Sequence, residues 1–577
     1  MKVLLVALNA KYIHSNPAIY SLRAYAGIYK EHIELVEYTI NQPLEEIMGD
    51  IYKRKPDVLA FSCYIWNISD IFSLTGELRK ILPKVPVWLG GPEVSFDSRQ
   101  ILKEHGEITG IMAGEGEETF LELMEHYVEG GKPLSAIKGL VLKEGETGER
   151  PLTDLNRLPF LYERLEDFQH KIIYYESGRG CPFRCSYCLS SIDKTVRFRN
   201  LDIVKRELQF FLDNRVKQVK FVDRTFNCNH EHAMGIWQYI KEHDNGMTNF
   251  HFEVAADLLN QEEIALLNSL RPGAVQLEIG VQSTNPATIS EIHRVMDVEK
   301  LKKIVAAIKR GNNIHQHLDL IAGLPYEDFE TFQQSFNQVY AMKPQQLQLG
   351  FLKVLKGSDI HKNAEKYGIV YTSREPYEVL YTKWISYEEI RKLKRIEEMV
   401  ELYYNSSQFT TTLPILEKLF DSPFSLYEAL AEYYEREGYF TNSPSRTYRY
   451  LILLEFAINK SADGIYCEEF FKELLTMDFY LRENAKSRPA FAKDLTSYKD
   501  AIRDVYRQEE AERILLPGYM AYDARQMAKM THVEVFDYDL HTGEKLRVPK
   551  FVLFDYKERS PLTYQAALHE ITDRRSL

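Results

Sequence analysis

Three cysteines fall within eight residues, in Gly178-Arg179-Gly180-Cys181-Pro182-Phe183-Arg184-Cys185-Ser186-Tyr187-Cys188. No other feature constrains the fold as tightly, because a C-x3-C-x2-C loop must close around whatever its thiols hold. Thiolates are the usual ligands of a [4Fe–4S] cluster. Three of them hold three corners and leave one iron open to a small molecule. Tyr187, an aromatic ring just before the last cysteine, suits a shielded cluster. A zinc site uses the same ligand type, but it wants four ligands, usually as two C-x2-4-C pairs. Cys63, Cys228 and Cys467 are scattered singly and make no second pair. A disulfide framework fits worse, since 6 cysteines in 577 residues are too few for one. On spacing alone, the cluster and zinc readings both stay open.

A chain of 577 residues has room for about two to four domains of roughly 100–200 residues each. It is 45% hydrophobic and 27% charged, an ordinary soluble composition. The net charge of −12 argues against a nucleic-acid partner held mainly by charge. No run reaches the roughly 18 apolar residues of a membrane span. The apolar start, Met1 to Asn9, is short for a signal sequence and runs into Ala10-Lys11-Tyr12 without a cleavage pattern. It is expected to be a first β-strand, in a cytoplasmic protein whose reducing surroundings suit a reducible cluster.

From residue 1 to about 135, short apolar runs alternate with amphipathic stretches. Strands are expected at Lys2–Leu8, Glu34–Tyr38, Val58–Ser62, Val87–Gly90 and Ile108–Ala113. Helices are expected at Pro17–Tyr29, Leu44–Lys53, Ile71–Ile81, Asp97–His105 and Glu117–Glu129. Such alternation gives a doubly wound sheet, which binds ligands beyond the carboxyl ends of its strands. Those ends carry Asn9, Ser62, the run Gly90-Gly91-Pro92-Glu93 and the run Gly114-Glu115-Gly116. Glycines there let a large ligand approach the backbone closely, although each run alone is also a plain turn.

Pro151–Phe168 reads as linker, and Lys171–Glu176 as a strand leading into the cysteine loop. The βα rhythm then repeats, with strands at Gln218–Val222, Asn249–Ala255, Ala274–Gly280, Gln316–Ile321 and Leu347–Leu355. Polar residues again mark the strand ends. Asp223 and Asn227 follow the second, Glu253 ends the third, and Glu278 and Gln282 lie on the fourth. Catalytic groups of βα barrels cluster at this edge. Each acidic residue is about as easily read as a structural partner of a backbone amide.

The cysteine loop, the strand-end series and the glycine runs upstream of them resemble the radical S-adenosylmethionine (SAM) family with a cobalamin-binding domain. That resemblance implies an α/β architecture. An N-terminal doubly wound, Rossmann-like cobalamin domain (1–135) and a linker (136–170) would precede a partial (β/α)6 radical SAM barrel (171–358). It implies three cofactors: a [4Fe–4S] cluster on Cys181, Cys185 and Cys188, SAM on the open iron, and cobalamin. SAM would then be cleaved by one electron to a 5′-deoxyadenosyl radical. Tyr187, Asp223, Asn227, Glu253, Glu278 and Gln282 would lie around SAM. Asn9, Ser62, Gly90, Gly91, Glu93, Gly114, Glu115 and Gly116 would lie around cobalamin. Relatives often carry an Arg before the Asp after the third strand, where this chain has Ala255. Many cobalamin proteins place D-x-H-x-x-G after the first strand. Here His14 lacks both the Asp and the Gly, so it is not expected to ligate cobalt.

Residues 359–577 are expected to form a mainly helical domain, with helical spacing at Ser386–Tyr404 and Ser425–Glu435. Val533–Tyr538 and Arg547–Asp555 flank His541-Thr542-Gly543-Glu544 as a terminal β-hairpin. The 37 Tyr and 30 Phe, many of them in this third, suggest dense helix packing. The region resembles an uncharacterised extension found on some cobalamin-type radical SAM proteins. The whole implies a methyltransferase acting on an unactivated carbon of a small-molecule or peptide substrate. Its electron donor would be of the flavodoxin or ferredoxin kind, with no membrane or nucleic-acid partner. A non-methylating radical SAM enzyme, such as a ring-forming one, is the alternative, and an iron–sulfur or cobalamin sensor a third.

Overall fold

The computed structural model of the protein describes residues 1–192, 195–461 and 464–571. Strand β1 (Val3–Asn9) is buried along its whole length, as an apolar run between two covered faces must be. It pairs in parallel with β2 (Ile33–Thr39) and β3 (Val58–Ser62), so that Val3 faces Ile33 on one side and Val58 on the other. The parallel strands β4 (Val87–Gly90) and β5 (Gly110–Met112) continue the sheet. Side chains alternate across β1. Leu4, Val6 and Leu8 join a core with Ile47 and Ile71, while Val3, Leu5 and Ala7 join one with Ile19 and Phe120. Both faces are therefore covered by helices, the doubly wound arrangement.

The sheet extends further than the sequence suggested. β6 (Leu140–Leu142) and β7 (Gly145–Glu146) add antiparallel to its edge, within the stretch expected as linker. Leu140 is buried in the same core as Phe120. A three-residue apolar run is too short to show a period.

After β8 (Ile173–Tyr175) the chain forms a two-stranded antiparallel ribbon of β9 (Gly178–Arg179) and β10 (Arg197–Phe198). Strands β11 (Gln218–Phe221), β12 (Asn249–Val254), β13 (Val275–Gln282), β14 (His315–Ala322) and β15 (Gln346–Phe351) follow, with helices between them. Strands β8, β11, β12 and β13 lie side by side in that order and pair in parallel. One face of β11 to β13 carries Phe221, Phe250, Phe252 and Leu277, all buried. Across the other run Tyr174, Lys220, His251 and Gln276 in register. The expected sixth strand, Leu347–Leu355, stops at Phe351. A small hairpin of β16 (Val370–Tyr371) and β17 (Val379–Tyr381) comes after it.

The chain divides into two compact units, the second gathering Asn313–Leu320, Phe329–Leu349 and Glu388–Leu577. The helix expected over Ser386–Tyr404 is an α-helix at Tyr387–Met399 that continues as a π-helix at Val400–Asn405. Buried tyrosines pair in this unit, with the Tyr403 and Tyr434 hydroxyls 2.6 Å apart. The expected hairpin forms as β18 (Thr531–Tyr538) and β19 (Lys545–Arg559), and a third strand, β20 (Ala566–Ile571), completes an antiparallel sheet. Among the described residues no helix is long and apolar enough to cross a membrane.

Candidate active site

The cysteine loop leaves the carboxyl end of β8. Gly180 bends it with φ +99, and a Cβ there would stand 2.2 Å from the Thr195 carbonyl oxygen. Only glycine satisfies both demands. The Cys188 N–H donates to the Cys185 carbonyl at 3.1 Å, which closes a turn over the last two cysteines. Cys181 and Cys185 are buried and Cys188 is half-buried. The Cys181 sulfur lies 3.4 Å from the Thr225 hydroxyl. Burial pushes the Cys185 thiol pKa up, and the Arg294 guanidinium beside it works against that rise. Arg294 Nη1 is 3.9 Å from the Cys185 sulfur and 3.4 Å from the Tyr187 hydroxyl, and Nη2 donates to the Gly280 carbonyl. Among the described residues no three His, Cys, Asp or Glu side chains are grouped as ligands of one metal ion. A cubane spreads its cysteines over three irons and asks for a wider triangle than one ion does.

Among the described residues, Ser186 Oγ within the loop and Gln282 Oε1 and Arg294 Nε beside it are buried polar atoms without a partner. Gln282 ends β13 in a left-handed backbone conformation, φ +72. Buried polar groups are as a rule hydrogen-bonded. An acceptor and a donor left open here fit a polar ligand bound at the cluster.

Two of the other strand-end residues, Asp223 and Asn227, hold the backbone. Asp223 Oδ2 and Oδ1 accept from the Ser177 N–H and hydroxyl at 2.9 and 2.7 Å. His232 Nε2 lies 3.1 Å from the same hydroxyl. Full burial pushes the Asp223 pKa up to about 7 even though the Ser177 bonds oppose the rise. Asn227 exchanges two bonds with the Ala255 backbone, at 2.9 and 3.0 Å. Glu278 lies 3.2 Å from Lys220 Nζ and 2.9 Å from His251 Nε2 on the polar face of the sheet, and Glu253 stands opposite it in register.

A cavity of about 760 Å³ opens where the first sheet meets this loop. Its lining includes Asn9, His14, Gly114–Glu117 and Gly178–Gly180, together with the stacked pair Tyr64 and Trp66. The volume is that of a ligand site. Gly114 faces open space with φ +80. Glu115 reaches both arginines of the ribbon, Arg179 at 3.2 Å and Arg197 by a close ion pair, and accepts from the Thr153 N–H at 2.7 Å. Burial works to raise the Glu115 carboxyl pKa, but the Arg197 bond and the Arg179 charge hold it down at about 2. Arg179 also pairs with Glu117 at 2.9 Å and Glu176 at 2.8 Å.

Asn9 and Ser62 line a polar knot. Asn9 donates to Glu37 Oε1 at 2.9 Å, as does the Asn16 N–H at 2.7 Å, and Ser62 meets Asn16 Nδ2 at 3.1 Å. Ser62, Gly90, Gly91 and Glu93 are absent from the cavity lining. A Cβ on Gly91 would stand 2.4 Å from the Cys63 carbonyl, and Glu93 accepts from the Tyr377 hydroxyl at 2.5 Å. His14 Nδ1 lies 2.6 Å from the Tyr174 hydroxyl, and burial with nearby Lys11 and Lys220 lowers its pKa. Sequence reasoning missed Arg179, Glu117, Arg294 and Glu37 as site residues. Their partners lie as far as about 134 positions away, as with Glu37 and Lys171, and no local pattern reports that.

The chain matches the B12 binding domain over residues 3–124 and the radical SAM superfamily over 175–339. It also matches a protein of unknown function, DUF4080, over 365–554. An uncharacterized methyltransferase of Pyrococcus horikoshii is 25% identical over 303 residues, 49% of this chain and 64% of its own. The cobalamin-dependent radical SAM methyltransferase TokK of Streptomyces tokunonensis is 24% identical over 364 residues, 57% of this chain and 51% of its own. The anaerobic magnesium-protoporphyrin IX monomethyl ester cyclase of Rubrivivax gelatinosus is 22% identical over 338 residues, 55% of this chain and 60% of its own. The chain thus spans less than two thirds of each relative's length. In fold it resembles the cobalamin-dependent radical enzyme OxsB, with TM-score 0.58 and 13% identity over 82% of this chain and 78% of that one. It also resembles the methyltransferase TsrM of Kitasatospora setae, with TM-score 0.53 and 17% identity over 65% and 76%. A B12 binding domain, a radical SAM domain and a C-terminal domain of unknown function follow one another in this order, and the first two bring with them the cofactors cobalamin, SAM and a [4Fe–4S] cluster.

Proposed function

We propose that the protein is a cobalamin-dependent methyltransferase acting on an unactivated carbon of a small-molecule or peptide substrate. One observation carries the reading: the Gly114–Glu117 loop of the first sheet and the Gly178–Gly180 turn before Cys181 line a single cavity. Methyl transfer needs donor and acceptor in one enclosure, since reacting atoms must approach to about 3–3.5 Å. The bound cofactors supply one-electron cleavage of SAM and a transferable methyl group. The chain's own residues do the rest. Asp223 and Ser177 hold the corner where β8 turns into the ribbon, and Arg179 ties that ribbon to the first sheet. Cys181, Cys185 and Cys188 hold the cluster, with Tyr187 and Arg294 against Cys185. Gln282, Glu253 and Glu278 are assigned to SAM, and Asn9, Ser62 and Gly114–Gly116 to the cobalamin side. Gly90, Gly91 and Glu93 support the β4 loop from behind. The electron donor is assigned to the flavodoxin or ferredoxin kind.

The likeness to a cyclase keeps a second reading, a ring-forming radical SAM enzyme without methyl transfer. Anaerobic reconstitution with SAM and a reductant separates the two. Deoxyadenosine together with S-adenosylhomocysteine, and a methylated product, supports the methyltransferase. Deoxyadenosine alone supports the alternative, and no SAM binding at all rejects both.

A further inference from the structure

The ribbon that leads into Cys181 has a defect in its own sequence. Arg179 on β9 and Arg197 on β10 are cross-strand partners in register. Like charges directly opposite each other destabilise a strand pair. Glu176, just before the ribbon, compensates Arg179 in part, and the rest of the compensating charge comes from the loop after β5, whose Glu115 meets both guanidiniums and whose Glu117 meets Arg179. Arg179 sits only two residues before Cys181. Gly180 between them lies close against the Thr195 carbonyl. A shift of the Arg179 backbone therefore reaches the cysteine loop through a two-residue link.

The same two loops line the cavity. Gly114 and Gly116 border it on one side, and Gly178 and Gly180 on the other. A ligand pressed against Gly114–Glu117 sets where Glu115 and Glu117 stand, and so where Arg179 stands. We infer that Arg179 is a positioning residue that couples the two cofactor sites. Cobalamin seated on the Gly114–Glu117 loop and a cluster seated on Cys181, Cys185 and Cys188 favour the same latched arrangement, so each tightens the binding of the other. Coupling of this kind is reciprocal and typically amounts to about 5–150-fold. The inference rests on the cofactor pair and not on methyl transfer, so it stands or falls apart from the function proposed above.

The test is a binding measurement. Hydroxocobalamin is titrated anaerobically into the full chain with and without a reconstituted cluster, and bound cobalamin is read from its absorbance after gel filtration. The wild-type protein is expected to bind it about tenfold more tightly when the cluster is present, within the usual range of such couplings. In Arg179→Met the ratio should fall to about one, and Arg179→Lys should restore part of it. If Arg179→Met fails to fold or to hold iron, Glu117→Gln, which leaves the Glu115 bridge in place, should lower the ratio by itself. A wild-type ratio of one, a full ratio in both variants, or no cobalamin binding in either state would overturn the inference.

Discussion

Arg179 and Arg197 face each other across a two-stranded ribbon, and the Glu115 carboxylate that separates their charges comes from a different sheet. A glycine-flanked glutamate at the end of a strand was read as a cofactor contact. In the structure its two oxygens are taken by Arg179, Arg197 and the Thr153 N–H. It lines the cavity beside Gly114 and Gly116 with those oxygens already engaged.

Replacing Glu115 should therefore damage the ribbon. Glu115→Gln leaves two half-buried guanidiniums opposite each other with less compensating charge, and the lost charged partner should cost about 1–3 kcal/mol. Urea unfolding should show the loss at pH 6 and pH 8 alike. The Glu115 pKa is held at about 2 against its ordinary 4.5, so its stabilisation is complete above pH 4.5 and fades only as pH falls toward 2. A penalty that changed between pH 6 and pH 8 would contradict this.

Two glycines of similar backbone should respond differently to alanine. Gly180 has φ +99 and no room, whereas Gly114 has φ +80 and nothing within 4 Å of its Cβ position. Gly114→Ala should cost only the left-handed strain, about 1–2 kcal/mol. Gly180→Ala must also push the Thr195 backbone aside, and it should lose most of its iron on reconstitution. Equal iron content in the two variants would show that the turn at residue 180 has slack.

Asp223 should make the protein more stable toward acid than toward base. Its folded pKa of about 7 lies above the ordinary 3.8, so the folded state holds the proton more tightly. Stability then falls as pH rises from about 4 through 7, by about 4 kcal/mol in all. Asp223→Asn stays neutral and should abolish this slope. Unfolding midpoints of both proteins between pH 5 and pH 8 measure it, and parallel curves would refute the assignment.

Each of Cys181→Ala, Cys185→Ala and Cys188→Ala should abolish the visible absorption band of the cluster. Iron should drop from about four per chain, the content of one cubane, to near zero. Unchanged iron in the triple variant would place the metal elsewhere.

His14→Ala should leave the Co(II) spectrum and cobalamin affinity nearly unchanged. The imidazole is lowered in pKa by burial, lines the cavity, and has Nδ1 engaged by the Tyr174 hydroxyl. Loss of a nitrogen hyperfine splitting in the variant would show that His14 ligates the metal after all.

The sequence by itself determined the elements. Buried strands such as Val58–Ser62 and Val87–Gly90 were bounded correctly because a run of apolar residues ending in polar ones is a local signal. The cysteine loop was legible for the same reason, since three thiols in eight residues need no long-range partner to be seen. The edge strand Leu140–Leu142 went unread, because a three-residue apolar run outside the βα alternation has no rhythm around it to mark it. The tertiary structure decided what the polar strand-end residues do. Asp223 and Asn227 have the right type and place for a ligand, yet their polar atoms bind Ser177 and Ala255. Arg179 carried no assigned role in the sequence, and in the structure it ties one sheet to the other through Glu115 and Glu117. A side chain's polarity is written at its own position, but its partner is chosen by the fold, which brings together residues more than 60 positions apart, such as Glu117 and Arg179.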